Sequence, residues 1–316
     1  MRVKRVESGV LTQIHGVLNV LKPPGMTSHD VVDYLRRLTA MRRIGHTGTL
    51  DPGASGVLVL CLGQATRIAE FLIERQKGYR TEFTFGVATD SGDAYGQVQA
   101  ERDASGLARA RLEEALSAFV GVHQQMPPMV SAIHKAGRRL YEHARRGEVV
   151  EIEPRQVEIL ECRLLDFSPG SRARALVQVE CSKGTYVRAL GRDLGERLGC
   201  GAHASFVLRT RSGRFTLEES LTLEEVASAA ADGRLPALLH SADAALDDLA
   251  VVDLTPAQRQ QVMDGRALPI FQIPGWQRLP TAAPIRLRDH RGLIAIGRIE
   301  AGRLQPFRVV RSRGPW

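Results

Sequence analysis

The sequence predicts an α+β fold, because strand-like and helix-like segments mix without the regular βαβ alternation of a doubly wound sheet. A second observation is the change of pattern near residue 250, from Ala- and Leu-rich helical sequence to short strands between Gly and Pro turns. A third is the lack of any repeat of roughly 20 to 50 residues, which argues against solenoids and propellers. The 316 residues, 43% hydrophobic and 25% charged, suit one large unit with a real core and one small one. The expected division is 1–249 and 250–316, the second a β-rich appendage near the lower size limit for independent folding.

Residues 16 to 21 (GVLNVL) read as a strand, which Lys22-Pro23-Pro24-Gly25 ends. Ser28 has the side chain of an N-cap, Asp30 follows in the first turn, and Val31, Leu35 and Leu38 share one helical face. That helix runs out into Arg36, Arg37, Arg42 and Arg43. The Gly-rich loop GHTGTLDPGASG, residues 45 to 56, then feeds VLVLCL at 57 to 62, a short apolar run of the buried-strand type. Residues 66 to 75 suit a helix. From Tyr79 to Val87 the pattern alternates, with Tyr79, Thr81, Phe83 and Phe85 on one face.

An amphipathic helix over 108 to 119 carries Leu112, Ala115, Leu116 and Phe119. After Pro127-Pro128 the sequence predicts a short strand and then a very basic helix, GRRLYEHARRG at 137 to 147, closed by Gly147. Strands near 156–167 and 173–181 lead to Lys183-Gly184-Thr185-Tyr186-Val187-Arg188 and another helix. The stretch 216 to 248 reads as a helical bridge. Beyond it come a helix at 255 to 264 and strands at 284–289, 293–299 and 306–311.

No apolar run reaches membrane-spanning length, and the opening MRVKRVESGVLTQIHG lacks the apolar centre of a signal peptide. A cytoplasmic protein with no membrane association is expected. Cys61, Cys162, Cys181 and Cys200 form no CxxC pair and read as buried free thiols, so a reducing compartment and no metal site are expected. The net charge of +8 points to a polyanionic partner. All but five of the 43 basic residues are arginine, whose planar fork suits phosphates and stacks on bases, although a G+C-rich coding sequence also favours arginine.

The loop at 45 to 56 is the most informative segment. Pro52 biases Asp51 toward an extended backbone, which sets where its carboxylate points. A phosphate-binding P-loop is excluded because no Gly-Lys-Ser/Thr follows. Alone, an Asp-Pro in such a loop is most often a turn-forming residue. Its setting changes that reading. In order the chain shows KPPGMTSHDVV at 22 to 32, GHTGTLDPGASGVL at 45 to 58, GQATR at 63 to 67, KGYR at 77 to 80 and TDSGDAYG at 89 to 96. PPMVSA at 127 to 132, GRRLYEHARRG at 137 to 147, KGTYVRALGRDLG at 183 to 195 and GAH at 201 to 203 complete the series. Through nearly its whole length the sequence resembles the TruB family of tRNA pseudouridine synthases.

The resemblance implies a mixed, mainly antiparallel sheet of the pseudouridine synthase type flanked by helices, with a small C-terminal PUA-like RNA-binding domain. It implies isomerisation of uridine 55 in the tRNA T-loop by base flipping, N1–C1′ cleavage and C5–C1′ rejoining. No cofactor is called for, since the product is an isomer of the substrate. Asp51 would be the essential carboxylate, acting either as nucleophile on the ribose or as base toward a ribose proton. Arg188 would pair with it, and a neighbouring cation favours the charged form. Tyr79 would stack on the base and assist loss of the C5 proton, and His46 would hold RNA once the base leaves the stack.

Asp90, Tyr186 and Lys22 match further family positions. Leu21 departs from the family's frequent acidic residue before Lys-Pro, which puts the partner of Lys22 in question. Arg42, Arg43, Arg138, Arg139, Arg145 and Arg146 are candidate phosphate contacts. The expected partner is the T-arm of tRNA, bound by a monomer with no obligate protein partner. Other readings are a guide-dependent relative acting on other RNAs, against which the lack of long basic extensions argues, and an RNA-binding or RNA-folding protein. The intact set around Asp51 makes tRNA folding an addition to catalysis rather than its replacement.

Overall fold

The computed structural model describes residues 14–128, 134–135, 138–139, 146, 148 and 150–310. The chain begins with β1 (Gly16–Lys22), α1 (Ser28–Thr39), β2 (Ile44–His46) and β3 (Ser55–Leu62). A 3-10 turn at Gly63–Ile68 runs into α2 (Ala69–Ile73), followed by β4 (Lys77–Phe85), β5 (Val87–Thr89), β6 (Val98–Glu101), α3 (Arg109–Ser117) and β7 (Gly121–Gln125). The hairpin β8 (His134–Lys135) and β9 (Arg138–Arg139) precedes β10 (Arg155–Ser168), β11 (Arg174–Cys181), α4 (Val187–Leu198), β12 (Ala202–Ser212) and β13 (Phe215–Thr216). The large sheet has the order β1-β3-β12-β4-β11-β10-β7, with β2 added to β3 and β13 to β12. Its pairings are antiparallel except that of β12 with β3, where Leu208 faces Ser55 and Arg209 faces Gly56. The fold is α+β with a mixed, mainly antiparallel sheet.

Period-two alternation divides β3 between two cores. Leu58, Leu60 and Leu62 join Leu18 and Val20 of β1 and Val31 and Leu35 of α1, while Val57, Val59 and Cys61 pack with Phe71 and Phe215 on the opposite face. A third core lies on one face of β4 and β11. There Phe83, Phe85, Val177 and Val179 meet Leu112 and Leu116 of α3 and Leu190 and Leu194 of α4. Each such side chain contributes about 1.5–3 kcal/mol on burial, and this core also takes in Leu50 and Tyr79. Gly56 permits the parallel contact: its φ is +110°, and a Cβ there would lie 2.2 Å from the carbonyl oxygen of Arg209.

Helix α1 is capped by Thr27, not by Ser28. The Thr27 hydroxyl accepts from the Asp30 N–H (3.0 Å) and the Asp30 carboxylate accepts from the Thr27 N–H (2.8 Å), a reciprocal capping box. Ser28 is the first helical residue, and its hydroxyl is committed to Leu50. The helix expected over 137–147 does not begin there, since Arg138 and Arg139 form strand β9; residues 140–145 and 147 lie outside those described. The segment 216–248 is not one helical bridge. It holds α5 (Leu223–Ala231) and two single 3-10 turns, because Gly233, Pro236 and Ser241 interrupt an Ala- and Leu-rich run. The segment pairs back on β1 at Val17–His240 and Val20–Leu221.

Residues 250–309 contain β14 (Ala250–Asp253), α6 (Pro256–Met263), β15 (Leu268–Pro269), β16 (Ile285–Asp289), β17 (Gly292–Glu300) and β18 (Arg303–Val309). They form a second sheet ordered β14-β16-β17-β18-β15 around its own core of Val252, Val262, Leu287, Ile294 and Leu304. Strand β14, which runs parallel to β16, was not expected from the sequence. This sheet meets the rest of the chain through Phe307 on Phe71, the Arg308–Glu70 ion pair and Leu293, Ile296 and Val310 in the Phe71 core. The four cysteines are buried and free. Among the described residues no helix is long and apolar enough to cross a membrane.

Candidate active site

The loop between β2 and β3 carries Asp51, and side chains from three other elements tie it down. The Ser28 hydroxyl accepts from the Leu50 N–H (2.8 Å) and donates to the Leu50 carbonyl (3.1 Å). The Lys22 ammonium, fully buried at the end of β1, donates to the carbonyls of Pro23 (2.8 Å), Met26 (2.5 Å) and Pro52 (3.3 Å). Arg209, buried on β12, donates through Nε to Val57 (2.6 Å) and through Nη2 to Gly48 (3.1 Å). Both backbone neighbours of Asp51 are therefore fixed, while its own side chain remains 44% exposed.

Arg188 enters from the first turn of α4, whose N-cap residue Tyr186 exchanges two hydrogen bonds with the Gln125 side chain. Its Nε donates to Asp51 Oδ2 at 2.8 Å and its Nη2 to Oδ1 at 3.2 Å, a bidentate pair. Nη1 donates to the Ser91 carbonyl at 2.7 Å and lies 3.5 Å from Asp93 Oδ2. The guanidinium is only 4% exposed, so it is screened little by solvent and acts on the accessible carboxylate from below.

A cleft of about 590 Å³ opens over Asp51, lined also by His46, Thr47, Tyr79, Lys77, Tyr186, Val187, Arg188 and Arg209. That size suits a small ligand or a single nucleotide. Tyr79 is buried in its wall, and burial pushes its phenol up, against the pull of Arg209, so it stays neutral. The site thus offers an accessible carboxylate, oriented by Arg188, beside an apolar wall with a neutral hydroxyl. Such a group can attack an electrophilic carbon or take a proton from one.

Asp51, Arg188, Tyr79, His46 and Tyr186 share this cleft. Lys22 does not line it but supports the loop beneath, and carbonyls serve as its partners. Asp90 lies in an adjoining cavity with Arg192 and Met126, and its carboxylate accepts from the Gln97 N–H. Its neighbour Asp93 is the one that reaches Arg188. Arg43 is held on the 63–66 turn by Thr66 and Gln64, and Arg42 lines a shallow depression with Arg36 and Arg37, both away from the cleft lining. The side chains of Arg138 and Arg139, and all of Arg145, lie outside the described residues, whereas Arg146 is exposed in a turn. Sequence reasoning missed Ser28 as a loop clamp, Lys77 in the cleft wall and Arg209 beneath the loop. Among the described residues no cluster of His, Cys, Asp and Glu is arranged to hold a metal.

Burial pulls the Lys22 ammonium down to about 8, with Asp51 opposing the shift. Between that value and the ordinary lysine value of 10.5 the unfolded chain binds a proton that the folded chain has released, so stability rises with pH across this window. Urea melts of wild type and Lys22→Met at about pH 7 and about pH 10 should show the wild type gaining relative to the variant at the higher pH. A constant difference would contradict a depressed Lys22.

Residues 36–187 match the model of the TruB family pseudouridylate synthase N-terminal domain, and residues 188–247 match that of the tRNA pseudouridylate synthase B C-terminal domain. The tRNA pseudouridine synthase B of Symbiobacterium thermophilum is 51% identical over 263 residues, covering 83% of this chain and 86% of the relative. That of Pelotomaculum thermopropionicum is 48% identical, covering 93% of each chain. That of Pseudomonas aeruginosa is 41% identical, covering 98% of this chain and 99% of the relative. A solved Cbf5-Nop10-Gar1 complex contains a chain that superposes with a TM-score of 0.73 at 25% identity, covering 95% of this chain and 86% of that one.

Proposed function

Because this chain belongs to the TruB family of pseudouridylate synthases, we propose that it isomerises uridine 55 in the T-loop of tRNA to pseudouridine, with Asp51 as the essential carboxylate. The observation that carries this reading is the bidentate Arg188–Asp51 pair at the base of an open cleft, with the neutral Tyr79 in its wall. A uridine must leave the base stack to enter such a cleft. The N1–C1′ bond breaks, the uracil turns, a C5–C1′ bond forms, C5 gives up its proton to water and N1 gains one from water. Atoms balance, so no co-substrate is consumed. Asp51 serves this sequence either by bonding to the ribose or by removing a ribose proton, and both roles use a carboxylate held in place by Arg188.

In this reading the Tyr79 ring stacks on the base and its hydroxyl assists proton loss at C5. His46 and Tyr186 line the entry and hold RNA, Lys22 keeps the loop shaped, and Asp90 steadies the turn that carries Asp93. The arginines at 42, 43, 138 and 139 meet phosphates. Residues 1–249 form the catalytic part and 250–316 a PUA-like RNA-binding part. The enzyme works in the cytoplasm as a monomer without a protein partner. The deciding assay uses a T-arm stem-loop tritiated at uracil C5: the wild type should release label to water as pseudouridine forms. Binding without release would leave only an RNA-binding protein.

Arg36, Arg37 and Arg42 cluster on one surface. If about four phosphates are contacted in all, affinity should fall about 100-fold between roughly 50 and 200 mM salt, as counterion release requires. A flat response in a filter-binding titration would contradict a phosphate-tracking surface.

A further inference from the structure

The turn between β5 and β6 presents an aromatic side chain whose exposure is hard to explain by folding alone. Tyr95 is 76% exposed, more than any other large hydrophobic side chain among the described residues. Its backbone is nevertheless fixed. The Tyr95 N–H donates to Asp93 Oδ1 at 3.0 Å, the Ala94 N–H donates to the Ala204 carbonyl at 3.2 Å, and the Thr89 and Ser91 hydroxyls both bond to Asp93. A rigid backbone that holds an open ring retains apolar area for a ligand.

The ring also has a defined neighbour. One edge rests on Gly53, two residues after Asp51; a Cβ at Gly53 would lie 2.2 Å from Tyr95 Cε2 and 3.0 Å from Cδ2 and Cζ. Neither residue lines the cleft, so the ring stands beside it on the outer side of the same loop. Asp93 couples the two features: one carboxylate oxygen holds the Tyr95 N–H while the other lies 3.5 Å from Arg188. The position of the ring is thereby referred to that of the Asp51–Arg188 pair.

Extruding one nucleotide from an RNA loop strips stacking from the bases on either side. Unstacked loop bases are commonly received on aromatic side chains. We propose that Tyr95 is a specificity-determining platform that stacks on a loop base flanking the flipped uridine, outside the cleft. This rests on the isomerase reading above and adds a residue that contacts substrate without touching the reacting atoms.

The experiment compares wild type, Tyr95→Phe and Tyr95→Ala on T-arm stem-loops, both intact and made abasic at each loop position near the target in turn. Tyr95→Ala should raise KM about tenfold on the intact substrate, with kcat within about twofold and Tyr95→Phe close to wild type. On the substrate abasic at the contacted position the difference between wild type and Tyr95→Ala should vanish. An unchanged KM, a penalty equal on every abasic substrate, or a fall in kcat alone would overturn the proposal, the last two marking a loop-packing role. Should the wild type release no tritium, the isomerase reading fails by itself. A stem-loop carrying 2-aminopurine at the flanking position then still reports stacking, as fluorescence quenched by wild type and Tyr95→Phe but not by Tyr95→Ala; equal quenching by all three overturns it.

Discussion

Replacing Asp51 by Ala or Asn is expected to reduce tritium release from C5-labelled stem-loop by about 10⁴-fold or more, the scale on which an essential reacting group fails. Affinity for the RNA should hold or rise slightly, because the change removes a negative charge from a site that binds a polyanion. The fold should survive. Asp51 is 44% exposed, and when it is replaced Arg188 keeps the Ser91 carbonyl and Asp93. Asn preserves the shape and one acceptor, so the comparison separates charge and nucleophilicity from contact. Turnover by either variant within about tenfold of wild type would remove Asp51 from the chemistry.

Arg188→Met should give the second largest loss, on the order of 10²–10³-fold in kcat, the scale of one lost preorganised electrostatic contact, with a much smaller change in KM. Two effects act together. Asp51 loses the bidentate partner that orients it, and the partly buried Asp93 loses the Arg188 guanidinium. Asp93 keeps the Ser91 hydroxyl and the Tyr95 N–H, but losing one partner of a partly buried ion pair still lowers stability, so the variant should also melt earlier. Arg188→Lys separates these effects: the charge remains for Asp93, but one ammonium cannot copy the two-pronged contact to Asp51. Lysine is therefore expected to recover stability more than turnover. Single-turnover rates read beside thermal melts test this, and equal recovery of both would mean that orientation by the fork is unimportant.

The sequence made some of this legible and hid the rest for physical reasons. Strands β1, β3 and β4 were readable because burial on one or both faces imposes an apolar pattern that the chain must carry. The members of the site were named through the family motifs, and spacing could not have shown that residues 51 and 188 meet. Which aspartate of Asp90-Ser91-Gly92-Asp93 turns toward Arg188 depends on a bridge from Asp93 to Ala204, a contact far away along the chain. Arg209 looks like one more basic residue in Leu208-Arg209-Thr210-Arg211. It is buried because β12 lies beside β3, and that neighbour is invisible to local pattern. The 216–248 segment shows the opposite error, in which helix-forming composition suggested a continuous rod that Gly233 and Pro236 break.

The position of β12 has a consequence for how the protein is made. Strands β3 and β4 follow one another in the chain, yet in the sheet β12 lies between them. Until residues 202–212 have been synthesised, the edges of β3 and β4 that β12 occupies in the finished sheet lack that partner. Open strand edges invite pairing with another chain, so any intermediate in which β3 and β4 form before β12 would carry an aggregation risk that insertion of β12 removes. The same strand carries Arg209 under the Asp51 loop, so closure of the sheet and support of that loop depend on one element.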